Sequence, residues 1–264
     1  SYLKCAKCGT LRITEIPENL SSFYPPQYYK IPSLKEVEAK TQQNTFKISL
    51  VSKYLRGGNF LEVGPAFGIF ALQAKKHGFQ VSAIEMDGQC CDFLNNIANI
   101  PTAHSADPER AMRNMPLQNG IALWHVIEHL PNPWALIDIA ATKLDPGGYL
   151  FIATPNPESF QHELMGKNWP HIDAPRHLYL ISSRSIIQHA QTCGLELVHL
   201  STRDSYTKQM NRFGWQRMLM NLVPTFPLKA VMYVIGYGIA FLMSPWDNKE
   251  GRGSAYTMVL RKSS

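Results

Sequence analysis

At 264 residues, with 45 % apolar and 17 % charged positions, the chain is long enough to bury a substantial core and too apolar to be disordered. Its net charge of +6 permits acidic partners, but the Lys and Arg residues are scattered, and without a basic run no nucleic acid is expected as a partner. Residues 1–10 carry no secretory signal, and the odd, irregular set Cys5, Cys8, Cys90, Cys91 and Cys193 excludes an extracellular disulfide framework and points to the cytoplasm.

In chain order, the first thirty residues read as loop, broken by Pro17, Pro25, Pro26 and Pro32. Ser33 then has the character of a helix N-cap. Leu34, Val37, Phe46, Ile48, Leu50, Val51, Tyr54 and Leu55 supply helical packing surface up to Gly57 and Gly58. Strands are expected at 60–63, 80–84, 121–124, 149–153 and 195–200, with helices at 69–77, 89–97, 134–144 and 183–192. This alternation predicts a largely parallel sheet covered on both faces. Two stretches break it: 155–180, rich in His, Pro and aromatics, and 203–252, which contains the uncharged run 230–246. Residues 255–261 read as one more strand. The expected organisation is an N-terminal segment (1–32), an α/β core (33–202), a helical cap insertion (203–252) and the last strand of the sheet (253–264).

Open α/β sheets bind ligands beyond the carboxyl ends of their strands. Here the first strand runs into Leu61-Glu62-Val63-Gly64-Pro65-Ala66-Phe67-Gly68, and the second ends in Ile84-Glu85-Met86-Asp87. Gly64 and Gly68 permit a tight turn, and a carboxylate at Glu85 can accept both hydroxyls of a ribose. The G-x-G-x-x-G pattern of a dinucleotide site is missing, and Glu62 beside the turn would repel a pyrophosphate but attract a cationic ligand such as S-adenosylmethionine. A plain strand-to-helix turn with a capping acid would look the same.

Five segments occur together in one order: 60–68, Glu85, His125-Val-Ile-Glu-His-Leu-Pro-Asn-Pro133, Leu144-Asp-Pro-Gly-Gly148 and Ile152-Ala-Thr-Pro-Asn156. This set resembles the class I S-adenosylmethionine-dependent methyltransferases, in particular the branch of ubiquinone-pathway O-methyltransferases and sugar C-methyltransferases, over residues 60–200. The resemblance implies a Rossmann-like, seven-stranded, mostly parallel sheet with its last strand antiparallel, an N-terminal lid and an inserted helical cap. It implies that Glu62, Val63, Gly64, Pro65, Ala66 and Gly68 line the methionine side of S-adenosylmethionine, and that Glu85, with Met86, holds the ribose. Asp107 would lie near the adenine, with Trp124 and His125 closing over the cofactor. S-adenosylhomocysteine would be the product. Two positions depart from the pattern: Ala66 stands where a second glycine is usual, and Gln118-Asn119-Gly120 lacks the usual acid.

Methyl transfer from a sulfonium needs alignment, exclusion of water and often removal of a proton. His125, Glu128 and His129 fall at i, i+3 and i+4, on one face of a helical turn. His129 or His125 could serve as general base, with Glu128 orienting it. Glu128 and His129 also match part of the E-x-x-E-H metal motif of small-RNA 2′-O-methyltransferases, and His171, Asp173 or His177 could add a ligand for a divalent metal. Packing and hydrogen bonding at the substrate mouth is the plainer alternative for this pair. His171, Arg176, His177 and Tyr179 are candidates to bind a substrate, Arg176 being suited to a carboxylate or phosphate.

At the ends of the sequence other features stand out. Cys5-Ala-Lys-Cys8 resembles one knuckle of the zinc ribbon that opens some sugar C-methyltransferases, but two thiolates do not complete a tetrahedral site, so a truncated or relic knuckle is expected. Tyr24, Tyr28 and Tyr29 either cover the cofactor or pack on the first helix. The run 230–246 is short for a bilayer span, which leaves a buried helix, a pocket cover, a homodimer interface or peripheral membrane contact. The expected activity is methyl transfer to an oxygen or carbon of a small molecule. A non-catalytic S-adenosylmethionine-binding scaffold or sensor, and a metal-assisted RNA 2′-O-methyltransferase, are the alternatives.

Overall fold

Alternate residues of a strand face opposite sides of its sheet, and in this chain both sides are apolar, so both must be covered. The computed structural model, which describes residues 1–24, 29–43 and 45–263, shows how. A small hairpin of β1 (Tyr2–Lys4) and β2 (Leu11–Ile13) leads to helices α1 (Leu34–Gln43) and α2 (Phe46–Tyr54). The core then alternates through β3 (Gly58–Val63), α3 (Ile69–Lys76), β4 (Phe79–Glu85), α4 (Gly88–Asn96), β5 (Thr102–His104), α5 (Pro108–Arg113), β6 (Gln118–Trp124), α6 (Pro133–Lys143) and β7 (Leu144–Pro155). After α7 (Phe160–Met165), β8 (Tyr179–Leu180), α8 (Ser183–Thr192) and β9 (Leu195–Ser201), a pair of helices, α9 (Ser205–Asn221) and α10 (Phe226–Asp247), precedes β10 (Ala255–Lys262).

The main sheet has seven strands in the order β5-β4-β3-β6-β7-β10-β9, with β10 antiparallel to both neighbours and the other pairings parallel. This is the expected Rossmann-like arrangement. Strand order reverses between β3 and β6, which opens a crevice at the carboxyl ends of the strands there. Leu61, Val63, Ile121, Leu123, Leu150 and Ile152 form one buried face with Leu136, Ile137 and Ala140 of α6 and Ile186 of α8. Phe60, Ala122, Trp124 and Phe151 form the other with Val51 of α2, Phe70 of α3 and Phe93 of α4.

Several expectations need correcting. The first helical region is two helices, α1 and α2, although Ser33 does cap it: its Oγ and N–H donate to Glu36, whose own N–H returns to Ser33 Oγ. The first thirty residues are not all loop, since β1 and β2 make a three-stranded sheet with β8. Strand β5 and helix α5, three and six residues long, were too short to leave a periodic signal. The run 230–246 belongs to a longer helix of 22 residues, and it is not a buried one: only 6 % of its apolar stretch lies inside the protein. Propensity and hydropathy favoured a helix correctly, but hydropathy alone cannot say which surface the helix faces.

Candidate functional site

The turn after β3 builds the first wall of the crevice. Gly64 has φ +66°, and a Cβ there would lie 2.7 Å from Val126 Cγ2, so the turn packs directly against the segment that follows β6. Pro65, Ala66 and Gly68 shape this turn from behind, and Ala66 adopts φ +52° in place of a glycine. The Ala66 N–H donates to Glu85 Oε2 at 2.8 Å, while the Met86 and Asp87 N–H groups donate to Glu85 Oε1 at 2.7 and 2.9 Å. Glu85, at the end of β4, therefore ties two loops together. Burial pushes its pKa up against the pull of those three donors. Each carboxylate oxygen still has lone-pair capacity for a ligand hydroxyl.

Val63, Gly64, Ile84, Glu85, Met86 and Asp87, with Ser105, Ala106 and Pro108, bound a cleft of about 340 Å³, closed opposite by Tyr24, Tyr29, His125, Val126, His129 and Leu130. That volume suits a small-molecule ligand. Glu62 sits directly behind Val63, fully buried, and its Oε2 has no hydrogen-bond partner among the described residues. Burial raises its pKa to about 7, opposed by the charge of half-buried Lys47 and by the Ala71 N–H. An open acceptor on a buried carboxyl beside the glycine turn fits the cationic end of S-adenosylmethionine, which the donor set of this cleft can accommodate.

One cofactor expectation is corrected. Trp124 does not close over the cleft. It is buried in the aromatic core against Phe70 and Phe151, with Lys47 Nζ 5.1 Å from its ring centroid. Asp107 accepts from the Arg110 N–H at 2.9 Å and so caps α5, while its neighbours Ser105, Ala106 and Pro108 reach the cleft. The position that lacks the usual acid, 118–120, lies away from the cleft. Asn119 accepts from the Asn59 N–H at 2.9 Å where β3 and β6 begin, at the far end of the sheet from the cleft.

The other wall is chemical. Its short 3₁₀ turn covers Ile127–His129, so the three residues do not share one helical face as their spacing predicts. His125 precedes the turn at φ +58°, and its Nδ1 lies 2.9 Å from Glu128 Oε1. Glu128 is fully buried, and its Oε2 accepts from Thr154 Oγ1 at 3.0 Å. Burial alone would raise its pKa, but the charge and hydrogen bond of His125, with His129 and His177 nearby, hold it at about 2. His129 Nδ1 is 3.1 Å from the Arg176 carbonyl oxygen and 3.2 Å from Tyr24 Oη. A carbonyl only accepts, so Nδ1 carries the proton and Nε2 keeps its lone pair. The same reasoning applies to His177, whose Nδ1 lies 2.8 Å from the His171 carbonyl oxygen. His125 Nε2 is buried with no partner among the described residues.

Of the substrate candidates, the structure brings His177 to the site, its ring centroid 4.6 Å from that of His129. Glu128, His129 and His177 each offer a ligand atom within 4.8 Å of the others, a donor set that suits a divalent metal. Asp173 Oδ2 lies 4.0 Å from His177 Nε2. Arg176 serves through its backbone, while its guanidinium donates to Asp173 Oδ1 at 2.6 Å. His171 and Tyr179 are corrected: neither reaches the cleft. His171 is buried under α9, where its Nε2 donates to the Met210 carbonyl and Phe213 packs on its ring, and burial lowers its pKa to about 4. Tyr179 bonds to the Pro131 carbonyl from the small sheet.

Sequence reasoning missed Thr154 and Tyr206. Thr154 lay within a recognised string without an assigned role. Tyr206, on α9, has its ring centroid 5.3 Å from that of His125 and is stacked on Phe46, contacts that carry no local signal. Tyr24 and Tyr29 do line the cleft, and Tyr28 lies outside the described residues.

Comparison with known proteins agrees with this geometry. The family described as a methyltransferase domain matches residues 39–200. A ubiquinone biosynthesis O-methyltransferase of Coxiella burnetii is 26 % identical over 173 residues, covering 62 % of this chain and 74 % of the relative. Among solved structures, an S-adenosylmethionine-dependent methyltransferase from Archaeoglobus fulgidus superimposes with a TM-score of 0.58 at 16 % identity, covering 84 % of this chain and 94 % of the other. A phosphoethanolamine N-methyltransferase of Haemonchus contortus, solved with S-adenosyl-L-methionine, gives a TM-score of 0.60 at 14 % identity, covering 94 % and 61 %. These structural likenesses are of fold.

Proposed function

The chain belongs to the class I S-adenosylmethionine-dependent methyltransferases, and from that premise we propose that it methylates a hydroxyl oxygen of a small-molecule acceptor, with His129 as general base. S-adenosylmethionine supplies an electrophilic methyl group when bound. Glu85 would hold its ribose side, and Gly64 and Glu62 its methionine side with the cationic end. The observation that carries the reading is the pairing of His129 with the Arg176 carbonyl, which leaves Nε2 able to take a proton on the wall opposite Glu85. Buried Glu128 orients His125 and places a fixed negative charge near His129, on the wall where a proton from the acceptor would arrive. Tyr24 and Tyr29 exclude water from the cleft mouth. The O-methyltransferase name of the Coxiella burnetii relative supports oxygen over carbon. Cysteine usage supports a cytoplasmic setting.

The test is methyl-labelled S-adenosylmethionine offered with a panel of small alcohols, phenols and carbon acids. Methyl ethers, lost in His129→Ala, are expected. Carbon-methylated products would overturn the oxygen assignment, and tight cofactor binding without turnover on any acceptor would favour a binding module.

A second reading has its own observation. Glu128, His129 and His177 cluster with both imidazoles holding Nδ1 protons on carbonyls, which suits a divalent ion. Such an ion would act as a Lewis acid on the acceptor oxygen. Protein purified without chelator should then carry near-stoichiometric metal, lost in His177→Ala. Metal-free protein whose turnover ignores added ions would remove this reading.

A further inference from the structure

Between β9 and β10 the chain leaves the sheet as an antiparallel pair, α9 and α10, whose base is pinned and whose outer face is bare. At the base, Asp247 Oδ2 accepts from Trp215 Nε1 at 2.7 Å and from Gln161 Nε2 at 3.1 Å. Midway, Gly236 crosses Gln216 so closely that a Cβ would lie 2.6 Å from the Gln216 Cα. The pair is therefore a preformed unit. Its outer face is apolar: Val231 (52 % exposed), Val234 (69 %), Phe241 (76 %) and Leu242 (68 %) fall on one stripe of α10, and Leu222 and Phe226 cap the tip. Soluble surfaces rarely carry a contiguous apolar patch of this kind without a partner.

The charge pattern selects the partner. Residues 205–246 contain no Asp or Glu and four cations, Lys208, Arg212, Arg217 and Lys229. Lys208 and Arg212, one turn apart, border a groove between the helices with Tyr237 and Phe241, and Arg212 sits 5.7 Å from the Tyr237 ring centroid. Asp247 is also in this groove, with the Trp215 and Gln161 hydrogen bonds on its carboxylate. A two-fold pairing of this face with a second copy would bring like charges together, whereas an anionic lipid surface complements both the apolar stripe and its cations. A single crossing by α10 is ruled out by topology, and a double crossing by the charge on α9. Strands β9 and β10 are hydrogen-bonded neighbours, so both ends of the hairpin stay on one side, and α9 carries three of the cations.

We propose that the α9–α10 hairpin docks the protein on a bilayer containing anionic lipid, with the outer face of α10 at the acyl boundary and Lys208 and Arg212 on headgroup phosphates. The test is flotation of the full chain with vesicles of phosphatidylcholine alone, or with about a quarter phosphatidylglycerol. The wild type should float with the anionic vesicles and bind neutral ones at least about tenfold more weakly. The double substitution Val234→Glu, Phe241→Glu should reduce binding at least about tenfold, since it places charge in the acyl boundary. Because both sites are exposed, melting temperature and S-adenosylhomocysteine binding should not change. Lys208→Glu with Arg212→Glu should remove the preference for anionic vesicles. Folded wild type that stays in the soluble fraction would overturn the proposal. So would a dimer formed without lipid and lost in Val234→Glu, Phe241→Glu, which would assign the face to a second copy. Cofactor binding is read separately, so failure here leaves the methyltransferase reading standing.

Discussion

The two walls of the cleft are built in different ways. The cofactor wall comes from two adjacent parallel strands and their turns: Gly64 and Ala66 after β3, Glu85 and Asp87 at the end of β4, joined by three backbone N–H groups to one carboxylate. The chemical wall gathers Tyr24, the 125–129 segment, Thr154, the adjacent Arg176 and His177, and Tyr206 from five separate parts of the chain. A wall of the first kind is set by backbone geometry, and one of the second kind by side chains on loops and insertions, which can change without disturbing the sheet. Binding and chemistry should therefore separate under mutation.

The largest separation is expected at His129. His129→Ala should lower kcat by about 10²–10⁴, the usual contribution of a general base, while S-adenosylhomocysteine affinity measured by calorimetry stays within about threefold. Equal losses in both would erase the distinction between the walls. Glu85→Ala should do the reverse, weakening S-adenosylhomocysteine about 10–100-fold through lost charge-assisted hydrogen bonds, and its melting curve should show whether the stitched loops also loosen.

A smaller effect sharpens the cofactor wall itself. Burial raises the Glu62 pKa to about 7, so the free protein keeps this carboxyl largely protonated below neutrality. The stability gained from the neutral form is full below the unfolded value of 4.5 and is lost as pH rises through about 7. A cationic ligand beside Glu62 favours its ionised form, so binding should release a proton. Affinity for S-adenosylmethionine should rise as pH climbs toward about 7, by at most about tenfold per pH unit, and level off above it. Calorimetry in buffers of different ionisation heat checks the proton count, and a pH-independent affinity would show that Glu62 does not meet the cation. The smallest effect belongs to Ala66, which holds φ +52°. Ala66→Gly should relieve a strain of about 1 kcal/mol, part of which the added flexibility of glycine offsets, leaving a gain of a few tenths of a kcal/mol in thermal unfolding.

The same contrast explains what could be read from the residues alone. The alternating core was legible because buried strands and amphipathic helices repeat at fixed periods, and helix α8 falls at the expected 183–192. Gly64 and Glu85 were legible because the turn and the acid are local. The remainder depends on contacts between distant segments. Nothing near His171 says that its N–H will be used by Met210, and nothing near Asp107 says that its carboxylate will also cap α5. The bare face of α10 was the least legible, because an apolar helix has the same sequence whether it is buried or exposed.

Binding of S-adenosylmethionine is the property from which the roles of both walls follow. Calorimetric titration of the purified protein with S-adenosylmethionine, S-adenosylhomocysteine and NAD in parallel should show saturable binding of both adenosyl ligands and none of NAD. Folded protein that binds neither adenosyl ligand would contradict those roles.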